Sequence, residues 1–389
     1  MPHSRRSFLQ LSTAASAALA FRILTEPMLA QARRGKVVPE GAVLLDSNEN
    51  PLGPCAAARE AVVAITPQSG RYLDRLTEDF AKLFAQQLGV TDEYLGVFAG
   101  SSEPLHYTVS AFASPQASYV TADPGYEAGV HSAGNAGACV VRVPLTKAYA
   151  HDVKAMLAAA PDAGVFYVCT PNNPTGTLTS HSDIEYLMEN KPKGAIVLVD
   201  EAYIHFCDAP SCIDLVKAGK DVIVLRTFSK IYGMAGLRCG AAIGRPDLVQ
   251  KIQNYGGGNP MPVTAVAAAT ASLREANLVA ERKRINTQVR EETFAWLDRH
   301  GYSYIPSESN CFMVDTRRPA REVITAMAQQ KVIIGRVWPA MPTCTRITVG
   351  TREEMQQFQA AFENVMKGKV TVGALRPDPR RIDGFALPS

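Results

Sequence analysis

A chain of 389 residues, 47% hydrophobic and 20% charged, is long enough to bury a large domain and a smaller one. A formal charge of +3 leaves no basic excess for a dedicated nucleic-acid surface, so no nucleic-acid partner is expected. No run of about 18 strongly apolar residues appears, so no membrane anchor is expected in the mature form.

At the N-terminus, Ser4-Arg5-Arg6-Ser7-Phe8-Leu9 precedes a small, weakly apolar segment from Leu11 to Phe21, and Ala30-Gln31-Ala32 has the small-x-small pattern of a peptidase site. In that order these features resemble a twin-arginine signal peptide over residues 1–32 and imply a periplasmic or secreted product. The competing reading is an amphipathic helix with two solvated arginines, and a cytoplasmic protein. An arm over 33–55 follows.

Seven short apolar runs come next: Gly96–Ala99, Ser118–Ala122, Cys139–Val143, Val165–Cys169, Ala195–Val199, Val222–Arg226 and Cys239–Ile243. Near-continuous apolar runs of this length read as strands covered on both faces. Helical patterns lie between several of them, at Glu103–Phe112, Asp152–Ala159 and Ser182–Asn190. The alternation predicts an α/β fold with a mostly parallel seven-stranded sheet, a large domain over 56–272. From Pro262 to His300 the pattern is that of a long helix or a pair of helices. Shorter elements, Cys311–Val314, Arg321–Gln330, Val332–Ile334, Arg346–Val349 and Glu353–Lys367, predict a smaller α+β domain over 273–369, followed by a Pro- and Arg-rich tail over 370–389.

Eight cysteines include no C-x-x-C pair, so no metal site is expected. Cys139, Cys169 and Cys239 sit in apolar runs and read as buried thiols. Cys207 and Cys212 are open to two readings, a disulfide or two free thiols.

Ligands of parallel sheets bind at the carboxyl ends of the strands, and that rule locates the chemistry. The first strand leads into Gly100-Ser101-Ser102-Glu103, an anion cradle at a helix start or merely a serine cap. The second leads into Asp123-Pro124-Gly125-Tyr126, whose aromatic ring either stacks on a planar ligand or packs on the surface. Thr170-Pro171-Asn172-Asn173-Pro174-Thr175-Gly176 follows the fourth, a densely punctuated turn that aims amides at one place. The fifth ends at Asp200-Glu201-Ala202-Tyr203, where Asp200 either pairs with a ligand cation or caps a helix. The sixth ends at Ser229-Lys230, with Gly233, Gly236 and Arg238 close behind. A lysine in such a loop is a candidate nucleophile for a carbonyl cofactor.

In order and spacing, Asn172-Asn173-Pro174-Thr175-Gly176, Asp200-Glu201-Ala202-Tyr203 and Ser229-Lys230 with Arg238 resemble fold-type-I aminotransferases that use pyridoxal 5′-phosphate (PLP). Asn48-Glu49-Asn50-Pro51, Arg71-Tyr72-Leu73-Asp74 and Arg346-Ile347-Thr348-Val349-Gly350-Thr351 are more narrowly similar to histidinol-phosphate aminotransferases. The resemblance spans about residues 43–366 and implies a transaminase working on an amino donor and a 2-oxo acid. It implies that Lys230 holds PLP as a Schiff base and shuttles the proton of substrate Cα. Asp200 would keep the pyridine nitrogen protonated, with Tyr203 and Asn173 on the ring oxygen and Tyr126 stacked on the ring. Ser101, Ser102, Ser229 and Arg238 would hold the phosphate. Tyr72 would reach the phosphate of a neighbouring subunit, which implies a homodimer with shared sites. Arg336, Arg346 and Asn50 would bind the substrate. A decarboxylase or lyase on the same scaffold is the alternative.

Three features depart from that family. Leu73 stands where it usually has proline. The segment Arg336-Val337-Trp338-Pro339-Ala340-Met341-Pro342 is more apolar than a histidinol-phosphate site calls for, and predicts either an apolar pocket wall or simple packing by Trp338. The export signal does not suit a cytosolic biosynthetic enzyme. Together these predict a free α-amino acid as donor, aromatic or otherwise bulky if Trp338 faces it.

Overall fold

The computed structural model describes residues 38–256 and 260–368. The signal peptide expected over 1–32 and the tail over 370–389 lie outside the described residues.

All seven predicted strands form, and they make one sheet. In chain order they are β2 (Leu95–Phe98), β3 (Ser118–Asp123), β4 (Val140–Pro144), β5 (Ala163–Cys169), β6 (Ile196–Asp200), β7 (Val222–Thr227) and β8 (Gly240–Gly244), arranged β2-β8-β7-β6-β5-β3-β4. Only β8 runs against its neighbours. Every residue of β5, β6, β7 and β8 is buried, which is why these strands read as unbroken apolar runs. β4 is one of the two edge strands and is only partly covered. The expectation that Cys139 is a buried thiol is therefore wrong: it precedes this edge strand and is exposed, whereas Cys169 and Cys239 are buried. Cys207 and Cys212 are free thiols.

The helices are α1 (Ala56–Ile65), α2 (Asp74–Leu88), α3 (Ser102–Phe112), α4 (Ala128–Asn135), α5 (Val153–Ala159), α6 (His181–Asn190), α7 (Ile213–Lys217) and α8 (Pro246–Gln253). Asp152 and Ser180 cap α5 and α6 by accepting from Ala155 and Asp183 N–H groups. The segment after Pro262 is a pair of helices, α9 (Val263–Arg274) and α10 (Leu278–Arg299). Leu278 lies in the core of the large sheet, while Val289, Phe294 and Leu297 lie in a second core, so α10 ties the two together.

That second core is covered by α11 (Ala320–Gln329), α12 (Arg352–Met366) and the antiparallel strands β9 (Ser303–Ile305), β10 (Cys311–Asp315) and β12 (Cys344–Thr348). The N-terminal arm contributes a strand with no counterpart in the sequence reading. β1 (Val43–Leu45) pairs in parallel with β11 (Val332–Ile334) and buries Val43 and Leu45 there. Chain from the extreme N-terminal side is thereby stitched into the smaller domain, next to the ends of the large sheet.

Beside the sheet ends, Glu201 is fully buried and accepts from Arg226 at 2.7 Å, Ser211 at 2.9 Å and the Cys212 N–H at 2.6 Å. Arg226 also donates to His205 Nε2 at 3.0 Å, and burial followed by the Arg226 charge pushes that imidazole down to about 3, keeping it a neutral acceptor. Removing Glu201 strands a buried guanidinium, so Glu201→Ala is expected to lower folding stability by about 3–5 kcal/mol. Urea unfolding of the purified variant measures this. A loss under about 1 kcal/mol would mean that solvent reaches Arg226.

Candidate active site

The ends of β2, β3, β5, β6 and β7 open onto a cavity of about 410 Å³. Its lining includes Ser101, Ser102, Tyr126, Asn173, Asp200, Tyr203, Ser229, Lys230 and Arg238, nine side chains singled out from the sequence. Ser47, Glu49, Cys169 and Thr227 line it as well and were not expected.

From Ser101, Ser102, Ser229 and Arg238 the chain builds an anion cradle. Ser101 occupies the N-cap position of α3, yet its hydroxyl makes no capping bond, so the reading of this serine as a helix cap does not hold. The helix N-terminus itself is a partial positive charge. Arg238, at φ 64°, donates to the Ala235 carbonyl at 2.9 Å and more weakly to Ser229 Oγ and the Ala99 carbonyl, both at 3.4 Å. Gly100 leaves room for it: a Cβ there would stand 2.2 Å from an Arg238 guanidinium nitrogen, and the φ of +91° disfavours any side chain.

The lining also includes a carboxylate. Asp200 is 3% exposed and does not cap a helix. Its two oxygens accept from Tyr167 Oη at 2.8 Å and the Ala202 N–H at 3.1 Å. Burial pushes its pKa up to about 6, opposed by those two hydrogen bonds and by the Lys230 charge. A buried carboxylate so disfavoured is stabilised by a cation placed against it. Tyr167 carries no motif, and only the neighbouring strand β5 identifies it as the orienting group.

Lys230 lines the same cavity. Its Nζ is 3.4 Å from the Ser47 carbonyl and 5.5 Å from the Tyr203 ring centre. Tyr203 Oη accepts from Asn48 Nδ2 at 3.0 Å. Asn173 Oδ1 accepts from Arg346 at 2.7 Å, and Arg346 also donates to the Asp46 carbonyl at 2.6 Å. Arg346 is fully buried on β12, so the smaller domain reaches the cavity through Asn173.

The remaining expected residues stand elsewhere. Asn50 donates to the Ile231 carbonyl at 3.1 Å and lies outside the cavity lining. Arg336 is paired with Glu127 at 2.5 Å and stacks on Trp338 at 4.4 Å, also outside it. Trp338 forms no wall of this cavity. It is 2% exposed, packs with Ile305, Met313 and Cys344, and donates its indole N–H to the Gly125 carbonyl at 3.2 Å. The simple packing reading holds, and the argument for a bulky aromatic donor loses its basis. Tyr72 is 73% exposed, away from the cavity of its own chain. Leu73, next to it, has φ 51°, a value closed to proline, so the departure from Arg-Tyr-Pro-Asp goes with a different backbone.

An anion cradle, a central amine and a buried carboxylate fit PLP, whose phosphate, aldehyde and ring nitrogen need those three partners. Residues 40–362 match the aminotransferase class I and II family. The histidinol-phosphate aminotransferase of Moorella thermoacetica is 32% identical over 331 residues, 83% of this chain and 85% of the relative. A solved structure from Erwinia carotovora atroseptica, provisionally named a histidinol-phosphate aminotransferase, superposes with a TM-score of 0.82 at 31% identity, covering 85% of this chain and 97% of that one. The Sinorhizobium meliloti histidinol-phosphate aminotransferase in complex with pyridoxal-5′-phosphate gives 0.79 at 25% identity, with 85% and 92% covered.

The cradle can be tested separately from the chemistry. Gly100→Ala displaces Arg238, and a charged hydrogen-bond partner is worth roughly 1.5–3 kcal/mol, so PLP affinity is expected to fall about ten- to a hundredfold. Titration of the cofactor-free variant, followed by cofactor absorbance, measures this. Unchanged affinity would mean that Arg238 does not bind the phosphate.

Proposed function

The chain belongs to the class I and II aminotransferase family and is a PLP-dependent transaminase, and from that premise we propose that Lys230 carries the cofactor and that the cavity moves an amino group from a free α-amino acid to a 2-oxo acid in two half-reactions. One observation carries the assignment: Lys230 and Asp200, from the ends of adjacent strands, line the same cavity as the cradle of Ser101, Ser102, Ser229 and Arg238.

When bound, PLP supplies an electron sink for the charge left on substrate Cα. Arg238 and the three serine hydroxyls neutralise and orient its phosphate. Asp200, kept in place by Tyr167 and the Ala202 N–H, would hold a proton on the ring nitrogen. Tyr203 and Asn173 would hold the ring oxygen, and Asn48 and Arg346 fix the orientation of these two. Tyr126 would cover the ring face. The Lys230 amine would hold the cofactor and, when free, would accept and return the proton of substrate Cα. Arg346, fully buried and outside the cavity lining, gives its guanidinium to Asn173 and the Asp46 carbonyl, and would bind the donor's α-carboxylate by exchanging one of these neutral partners for it.

The exposed Tyr72 supports a homodimer in which this side chain completes the partner's phosphate site. A decarboxylase or lyase would use nearly the same cofactor set, but the relative matched at 32% identity is an aminotransferase, and the alternative is not favoured.

Lys230→Ala is expected to abolish attachment of PLP by borohydride reduction and to lower turnover by several orders of magnitude, because attachment and proton transfer are lost together. Near-normal turnover, with no other lysine labelled, would sink the assignment.

The N-terminal segment supports export by the twin-arginine route, which carries folded and therefore cofactor-loaded proteins. Changing Arg5 and Arg6 together to Lys is expected to leave the protein in the cytoplasm of a host that exports the parent chain. Cell fractionation with cofactor-specific absorbance reads this out, and a periplasmic double mutant would point to another route.

A further inference from the structure

Beside the cavity lies a charged assembly that the transamination machinery does not use. Tyr126 lines the cavity, and the next residue, Glu127, lies outside its lining. Glu127 occupies the N-cap position of α4, where an acidic side chain ordinarily accepts from the helix N–H groups. It makes no such bond, and its carboxylate instead crosses to Arg336 of the smaller domain at 2.5 Å. Both side chains are about nine-tenths buried. The Arg336 guanidinium stacks at 4.4 Å on Trp338, whose ring also has the Arg346 guanidinium at 5.5 Å, and the Trp338 indole is anchored on the Gly125 carbonyl. Gly335 and Thr345 close the backbone around the pair by bonding β12 to the Arg336 loop at 2.9 and 3.0 Å.

Two arginines ten positions apart near a substrate site suit a donor with two anionic groups, or one strongly charged phosphate. Here the first of them is neutralised within the protein. Drawing Arg336 toward a substrate would leave the Glu127 carboxylate buried beside the incoming anion, and both the lost pair and the like-charge contact oppose it.

We propose that Glu127 is a specificity-determining positioning residue: by holding Arg336 against Trp338 it leaves Arg346 as the arginine for substrate, and restricts the donor to amino acids whose only anionic group is the α-carboxylate. This rests on the transaminase reading and names its substrate class.

The test is single-turnover conversion of the holoenzyme by L-phenylalanine, L-glutamate and histidinol phosphate, with the maximal rate and half-saturating concentration measured for each. The wild type is expected to favour phenylalanine over the other two by about tenfold or more in efficiency. In Glu127→Gln the ratio for histidinol phosphate and glutamate relative to phenylalanine is expected to rise about tenfold, through half-saturation rather than maximal rate. Glu127→Asp, which keeps the charge, is expected to hold the wild-type ratio. Glu127→Gln combined with Arg336→Gln removes both buried charges together, and serves if the single variant does not fold. Its ratio is expected to stay near that of the wild type. A tenfold fall in that double variant would show that Arg336 binds the substrate's second anion and would overturn the proposal, as would an equal effect of Glu127→Gln on all three donors. Failure of the wild type to convert any amino donor would overturn the transaminase reading itself, and this inference with it.

Discussion

The parallel ladder of β5, β6 and β7 is the constraint on which the site depends. Cys169 stands opposite Asp200, and Asp200 opposite Leu225, so β5 and β6 end at one level, β7 runs two residues further to Thr227, and the three loops leave on one side. A slip of one residue in β6 would turn Asp200 to the other face of the sheet and exchange it with Val199. The hydrogen-bond register thus sets how far the carboxylate lies from the lysine loop after β7. No local preference of either loop could do so.

Burial then makes that placement chemically useful. Asp200 sits where its charge is disfavoured, held by a tyrosine on one neighbouring strand and by the backbone two residues on. A site that sets a disfavoured anion and an arginine-lined helix start at different strand ends has a built-in polarity. A ligand with a basic ring nitrogen and a phosphate enters it in one orientation.

The smaller domain completes the cavity through hydrogen bonds rather than by contributing the central groups. Arg346 reaches Asn173 across 173 positions of sequence, and Asn48 is held by Thr348 across 300 while its own amide holds Tyr203. These bonds couple the orientation of two cavity-lining side chains to the docking of β1 and β12. Movement of the smaller domain would therefore be felt at Tyr203 and Asn173, and at Lys230 through the Ser47 carbonyl that follows β1.

The large sheet and nine of the cavity's side chains were legible in the sequence, because doubly covered strands leave unbroken apolar runs and their loops fall at the ends of those runs. The three residues of β1 were not, since a strand that short has no period, and its partner is about 290 positions away in β11. Cys139 was misjudged because an apolar run does not reveal whether its strand is central or at the edge. Trp338 carried two readings, whereas Arg336 carried one, a substrate ligand, and stands outside the cavity lining paired with Glu127. Sequence by itself determined which side chains have chemistry to offer and the order in which strand ends present them. Tertiary structure alone decided which of the charges are spent on each other, as Arg336 is on Glu127 across 209 positions, because the cost of burying an ion depends on what lies beside it in space.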